Sequence, residues 1–235
     1  MGLAGTLLSR RRWAAVCRVG VAALVLAWLA PVPGRSALEF DLARVQQTMQ
    51  SRFGAQGVQA LQDWLRMLEA QAGRPPARQL QAVNDFWNHT VLGSDDMVVW
   101  GEADYWATPL ESLGKRAGDC EDFVIGKYFS LMRLGVPVEK LRLIYVRARV
   151  GGVGSTQSIA HMVLGYYEKP TSDPLVLDNL VADIMPASQR SDLTPAFSFN
   201  GQGIYVAGSS KAAPVDRISR WRGLLSRMQQ EGFMP

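Results

Sequence analysis

The hydrophobic pattern changes period once, at Gly135, and nothing else in the sequence limits the possible folds as strongly. Before that glycine, apolar residues recur at helical spacing; after it they fall in short runs bounded by Gly and Pro. Over 41–71, Leu42, Val45, Met49, Phe53, Leu61, Trp64, Leu65 and Leu68 mark one helical face, with glutamines on the other and a bend expected at Gly54 and Gly57. Pro75-Pro76 opens another helix that turns Leu80, Val83, Phe86 and Trp87 to the core, and Thr108-Pro109-Leu110-Glu111 reads as a capping box. A helix from about Asp119 to Leu134 is stopped by Gly135. Beyond it, 141–150, 160–168, 175–181 and 204–207 read as strands, and an amphipathic helix over 214–230 closes the chain. The fold class is therefore α+β, a helical N-terminal half packed on an antiparallel sheet.

Residues 1–36 read as an export signal, residues 37–235 as one domain. Arg10, Arg11, Arg12 and Arg18 precede an apolar run over 19–30, and Pro31, Pro33 and Gly34 break it. The run is short for a bilayer span, which needs about 20 apolar residues. An exported, periplasmic protein is expected, with an uncleaved anchor as the weaker reading. The leader also carries the basic charge: the chain has 25 Lys+Arg against 21 Asp+Glu, and without the leader's five arginines the balance is about −1. With no polybasic stripe left, a nucleic-acid partner is excluded.

Outside the leader, Cys120 is the only cysteine, in Gly118-Asp119-Cys120-Glu121-Asp122-Phe123 at a helix start. A thiol there meets unpaired backbone N–H groups and the positive end of the helix dipole, which favour the thiolate. The alternative is a small buried hydrophobe. His161 heads a strand and can serve as a general base; Asp178 interrupts an apolar stretch and can orient the imidazole, or can be a solvated turn residue. His89, on the polar flank of a helix, is given no role. Asp95, Asp96, Glu102 and Asp104 lie upstream, and Asp119, Glu121 and Asp122 surround the cysteine. Such acids raise a thiol's pKa unless a cation neutralises them; they suit Ca²⁺, or they merely complement the helix dipole.

These segments, with Leu134-Gly135-Val136-Pro137, Trp100 and Trp106-Ala107-Thr108-Pro109, resemble the bacterial transglutaminase-like cysteine proteinases, and specifically the LapG-type periplasmic proteases. The resemblance covers about Asp63 to Tyr205. It implies a papain-like core with Cys120 as nucleophile, His161 as base and Asp178 as orienting carboxylate, and Ca²⁺ held by Asp119, Glu121 and Asp104. It further implies that a large secreted adhesin is cut in its N-terminal region, releasing biofilm, and that an inner-membrane cyclic di-GMP receptor restrains the enzyme. Two other readings stay open: a transglutaminase-type acyl transferase on the same triad, and a catalytically inactive calcium-binding periplasmic module.

Overall fold

The computed structural model describes residues 1–2, 38–152, 154–206 and 213–234. The expected leader, beyond Met1 and Gly2, lies outside the described residues. Helix α1 (Leu42–Gln71) is N-capped by Asp41, whose carboxylate accepts the Arg44 N–H, and breaks at Gly54, where φ is +61°. Only a glycine tolerates that conformation cheaply, so the bend falls at the expected place. Val45, Met49, Leu61, Trp64 and Leu68 are buried as their spacing requires, whereas Leu42 is exposed in the first turn. Helix α2 (Pro76–Thr90) starts with proline at its first position and buries Leu80, Val83 and Trp87. A short α3 (Asp96–Val99) precedes α4 (Pro109–Lys115), which carries the full capping box between Thr108 and Glu111. Helix α5 (Cys120–Arg133) is buried along nearly its whole length.

The strands are β1 (Glu39–Phe40), β2 (Leu92–Gly93), β3 (Ala117–Gly118), β4 (Leu141–Arg149), β5 (Ser158–Tyr166), β6 (Leu175–Leu177), β7 (Met185–Pro186), β8 (Leu193–Asn200), β9 (Gly203–Val206) and β10 (Phe233–Met234). Six form an antiparallel sheet in the order β7-β6-β5-β4-β8-β9. Strand β4 is central, pairing Val146 with His161 of β5 and Leu143 with Phe199 of β8. Helix α5 packs on β5 and β4, and the core gathers where it meets Trp64, Trp87 and the sheet. Helix α6 (Ser219–Glu231) closes the domain by stacking Trp221 on Phe129 of α5 and setting it edge-on to Phe199.

Three sequence expectations differ from the structure. Strand β8 is missing from the sequence reading because Pro195 and polar neighbours disguise it; the pairing steps from Tyr145↔Phe197 to Val146↔Pro195, a bulge that accommodates the proline. The expected strand over 175–181 ends at Leu177, because the Asp178 carboxylate accepts the Leu180 N–H and folds the chain into a turn. The last helix begins at Ser219 and not at Pro214, which instead opens a single 3₁₀ turn. No helix among the described residues is long and apolar enough to cross a membrane.

Candidate active site

Cys120 is the first residue of α5, so its backbone N–H has no acceptor inside the helix. The packing of α5 on β5 brings the sulfur within reach of the Met162 N–H, next in the chain to His161. His161 is buried, and its Nε2 lies 2.8 Å from Asp178 Oδ1. Nε2 is thus engaged by the carboxylate, leaving Nδ1 as the ring nitrogen for a proton exchange. Asp178 is fully buried in the turn after β6. Burial alone would raise its pKa, but the hydrogen bonds and charge of His161, the Leu180 N–H and Arg190 hold it down at about 2. Asp178 is thus a turn residue, but a buried one held on an imidazole, and the solvated reading does not stand. His89 binds only the Asp85 carbonyl of its own helix.

The surroundings of the thiol push its pKa up. Burial raises its pKa, the Glu121 carboxylate 2.8 Å away accepts the S–H and raises it further, and Asp119 adds to this; the Met162 N–H opposes them.

Those acids are grouped by a short piece of parallel pairing. Strand β2 runs beside β3, with Leu92 N–H on the Arg116 carbonyl and Ser94 N–H on the Gly118 carbonyl. Asp96 is thereby carried next to Asp119. One ligand atom from each of Asp96, Asp119 and Asp122 falls within 4.8 Å of the other two. Asp96 Oδ2 accepts the Tyr105 N–H at 2.6 Å and Asp122 Oδ1 the Ala107 N–H at 2.8 Å. Asp96 Oδ1, Asp119 Oδ1 and Asp122 Oδ2 are buried without any hydrogen bond. Three such oxygens facing one another are costly unless a cation or protons compensate them. Accordingly burial, then mutual repulsion, raises Asp119 to about 9 and Asp122 well above the carboxylate range. Gly118 is required here, since a Cβ on it would lie 2.5 Å from Asp122 Oδ2. The donor set is hard oxygen, partly pre-oriented and anionic, and it fits Ca²⁺.

Of the acids named from the resemblance, the structure places Asp119 in this group. Glu121 turns to the Cys120 sulfur, and Asp104 pairs with Arg220 at 2.8 Å on the surface. Asp96 and Asp122 complete the group. Both were visible in the sequence as members of the acidic run, but no spacing singled them out. Sequence reasoning missed Arg190 altogether. It is buried at the far side of Asp178, and its one signal was an arginine two residues from an aspartate.

A family model described as bacterial transglutaminase-like cysteine proteinase matches residues 61–192. Solved structures of LapG from Legionella pneumophila superpose on the chain. The calcium-bound form is 35% identical over 79% of this chain and 98% of its own, with a TM-score of 0.67. The EGTA-treated form is 36% identical over 79% and 96%, with a TM-score of 0.69. No curated protein matches the chain.

Proposed function

The chain belongs to the bacterial transglutaminase-like cysteine proteinases, and from that premise we propose that it is a calcium-dependent endopeptidase working through Cys120, His161 and Asp178. The observation that carries the reading is the packing of the α5 N-terminus on β5, which brings a helix-start thiol to the Met162 N–H, next in the chain to an imidazole bound to a buried carboxylate. His161 Nδ1 takes the Sγ proton while Asp178 holds Nε2–H, and the thiolate attacks the peptide carbonyl carbon. The Cys120 N–H, free of any helical acceptor, is placed to receive the developing oxyanion. The imidazolium then protonates the leaving amine, and water, activated by His161, hydrolyses the thioester.

Asp96, Asp119 and Asp122 would hold Ca²⁺, with Glu121 adjacent. A bound cation supplies positive charge beside a thiol that the carboxylates otherwise keep protonated. Calcium dependence follows from that field: without compensation, Glu121 holds the S–H in its own hydrogen bond.

The likeness to LapG supports the finer role. The chain is read as a periplasmic enzyme, exported by residues 1–36, that cuts the N-terminal region of a large surface adhesin at an alanine-containing site to promote biofilm release. An inner-membrane cyclic di-GMP receptor is the inhibitory partner. The test is incubation of residues 37–235 with adhesin N-terminal fragments in Ca²⁺ or in EGTA. Two fragments are expected in Ca²⁺, and none in EGTA or from Cys120→Ala. A crosslinked ladder with ammonia release would identify an acyl transferase instead, and a Cys120 inert to iodoacetamide in Ca²⁺ a calcium-binding module. Full cleavage in EGTA, with metal shown absent, removes the calcium site and leaves the triad standing.

A further inference from the structure

We infer that Arg190 is a positioning residue of the active site, acting on His161 through Asp178. The inference rests on the triad proposed above, and its chain of contacts is complete. Asp192 takes two hydrogen bonds from Arg190, at 2.9 Å from Nε and 2.8 Å from Nη2, which fixes the guanidinium plane. The same Nη2 donates to Asp178 Oδ2 at 2.8 Å. Asp178 Oδ1 then receives His161 Nε2 and the Leu180 N–H. From the other side, Asn88 Nδ2 donates to the Asp178 backbone carbonyl at 2.8 Å, tying this turn to α2.

A carboxylate held at one oxygen only, as Asp178 would be by His161 and the Leu180 N–H, keeps freedom about its last torsion. It can also reverse the bond, by donating a proton of its own to the ring nitrogen. Arg190 removes both freedoms. Its nitrogens are donors only and do not lose their charge in proteins, so Oδ2 is confined to accepting. With Oδ2 occupied, Oδ1 stays in the plane of the ring and accepts Nε2–H. The neutral imidazole is thereby confined to the tautomer whose lone pair lies on Nδ1, the nitrogen that the proposed mechanism uses as base. Burial makes this strict, because Arg190, Asp178 and His161 are each no more than 4% exposed, and water does not replace a lost partner. Lys127 of α5 also acts on Asp178, but burial lowers its pKa to about 7 and its Nζ makes no hydrogen bond. It gives Asp178 no directed contact, so the orienting role falls to Arg190.

The test separates positioning from stability and from the protease reading. The chain has two histidines, so ¹⁵N spectra of Ca²⁺-loaded Cys120→Ala, with His89→Gln to assign the pair, report His161 by itself. The neutral ring is expected as the Nε2–H tautomer, and Arg190→Gln in that background is expected to give a mixture. With Cys120 present, Arg190→Gln should slow iodoacetamide alkylation of the thiol on the order of 10- to 100-fold, the range found when outer partners of site residues are removed. Arg190→Lys should recover part of this, since one ammonium reaches Asp178 but does not bridge both acids. Asp192→Asn, at the partly exposed end of the chain of contacts, should shift the tautomer ratio in the same direction by less. An unchanged tautomer and alkylation rate in folded Arg190→Gln would overturn the inference. So would Arg190→Gln failing to fold while Asp192→Asn and Arg190→Lys leave both readouts at the wild-type value. If the wild type cleaves no fragment but these shifts occur, the protease reading falls and the role of Arg190 stands.

Discussion

Cys120 sits at a helix N-terminus that favours the thiolate, while burial first and then the Glu121 and Asp119 carboxylates push its pKa up. His161 and Asp178 are joined by a hydrogen bond of 2.8 Å. Removing the base by His161→Ala is expected to lower kcat/KM on the order of 10²- to 10⁴-fold, measured on cleavage of the adhesin fragment. Asp178→Asn should cost less, because an amide still orients the ring but does not stabilise its cation. Asp178 also makes a pH prediction. Its folded pKa, about 2, is depressed below the unfolded value near 3.9, so its stabilisation is present in full above about pH 4 and is lost as pH falls through 2. The shift corresponds to about 2 kcal/mol. Urea unfolding of wild type and Asp178→Asn should therefore show a gap that narrows from pH 4 to pH 2, and a constant gap would contradict the ion-pair account.

Helix α5 has to be fixed in place for a first-turn cysteine to meet a strand histidine. One hydroxyl does much of this: Ser130 Oγ accepts Trp64 Nε1 of α1 at 2.8 Å and Trp87 Nε1 of α2 at 2.9 Å, while donating to the Gly126 carbonyl. Both indoles are fully buried, so Ser130→Ala strands two N–H donors. A loss of about 2 to 4 kcal/mol is expected by chemical denaturation, from roughly 1–3 kcal/mol for each unsatisfied group. A loss under about 1 kcal/mol would show that the helices do not depend on this junction. Gly126 is the companion feature. A Cβ there would lie 2.5 Å from the Trp87 ring, so α5 and α2 approach as closely as a bare backbone allows.

For the molecule as a whole, Ca²⁺ on the proposed carboxylate cluster would couple metal binding to folding, because the three carboxylates come from α3 and from the start of α5. A ligand at a hundred times its Kd adds about 2.7 kcal/mol to the native state. For about 200 residues, where 1 kcal/mol moves Tm by about 2–4 °C, saturating Ca²⁺ should raise Tm by about 5–10 °C over EGTA in calorimetry. Asp122→Asn should abolish that increment. Mg²⁺ should give little, since it requires a smaller, near-octahedral site. An equal Tm in Ca²⁺ and EGTA would remove the cluster as the metal site.

Sequence periodicity by itself determined the α+β class, the bend at Gly54, the capping box at Thr108 and the helix opening at Cys120, because each depends on neighbours within about one helical turn or on alternation along one strand. Cys120 at the start of α5 and Asp178 just past β6 were legible for the same reason, whereas His161, expected at a strand start, lies inside β5. Tertiary structure alone decided the rest. Strand β8 exists because β4 offers it hydrogen bonds despite Pro195. Asp96 joins Asp119 and Asp122 because the parallel β2–β3 pair lays two distant loops side by side. Arg190 reaches Asp178 because the chain after β7 returns beneath the β6 turn. Each is a contact between segments remote in the chain, where the free energy belongs to the pairing and leaves no local pattern.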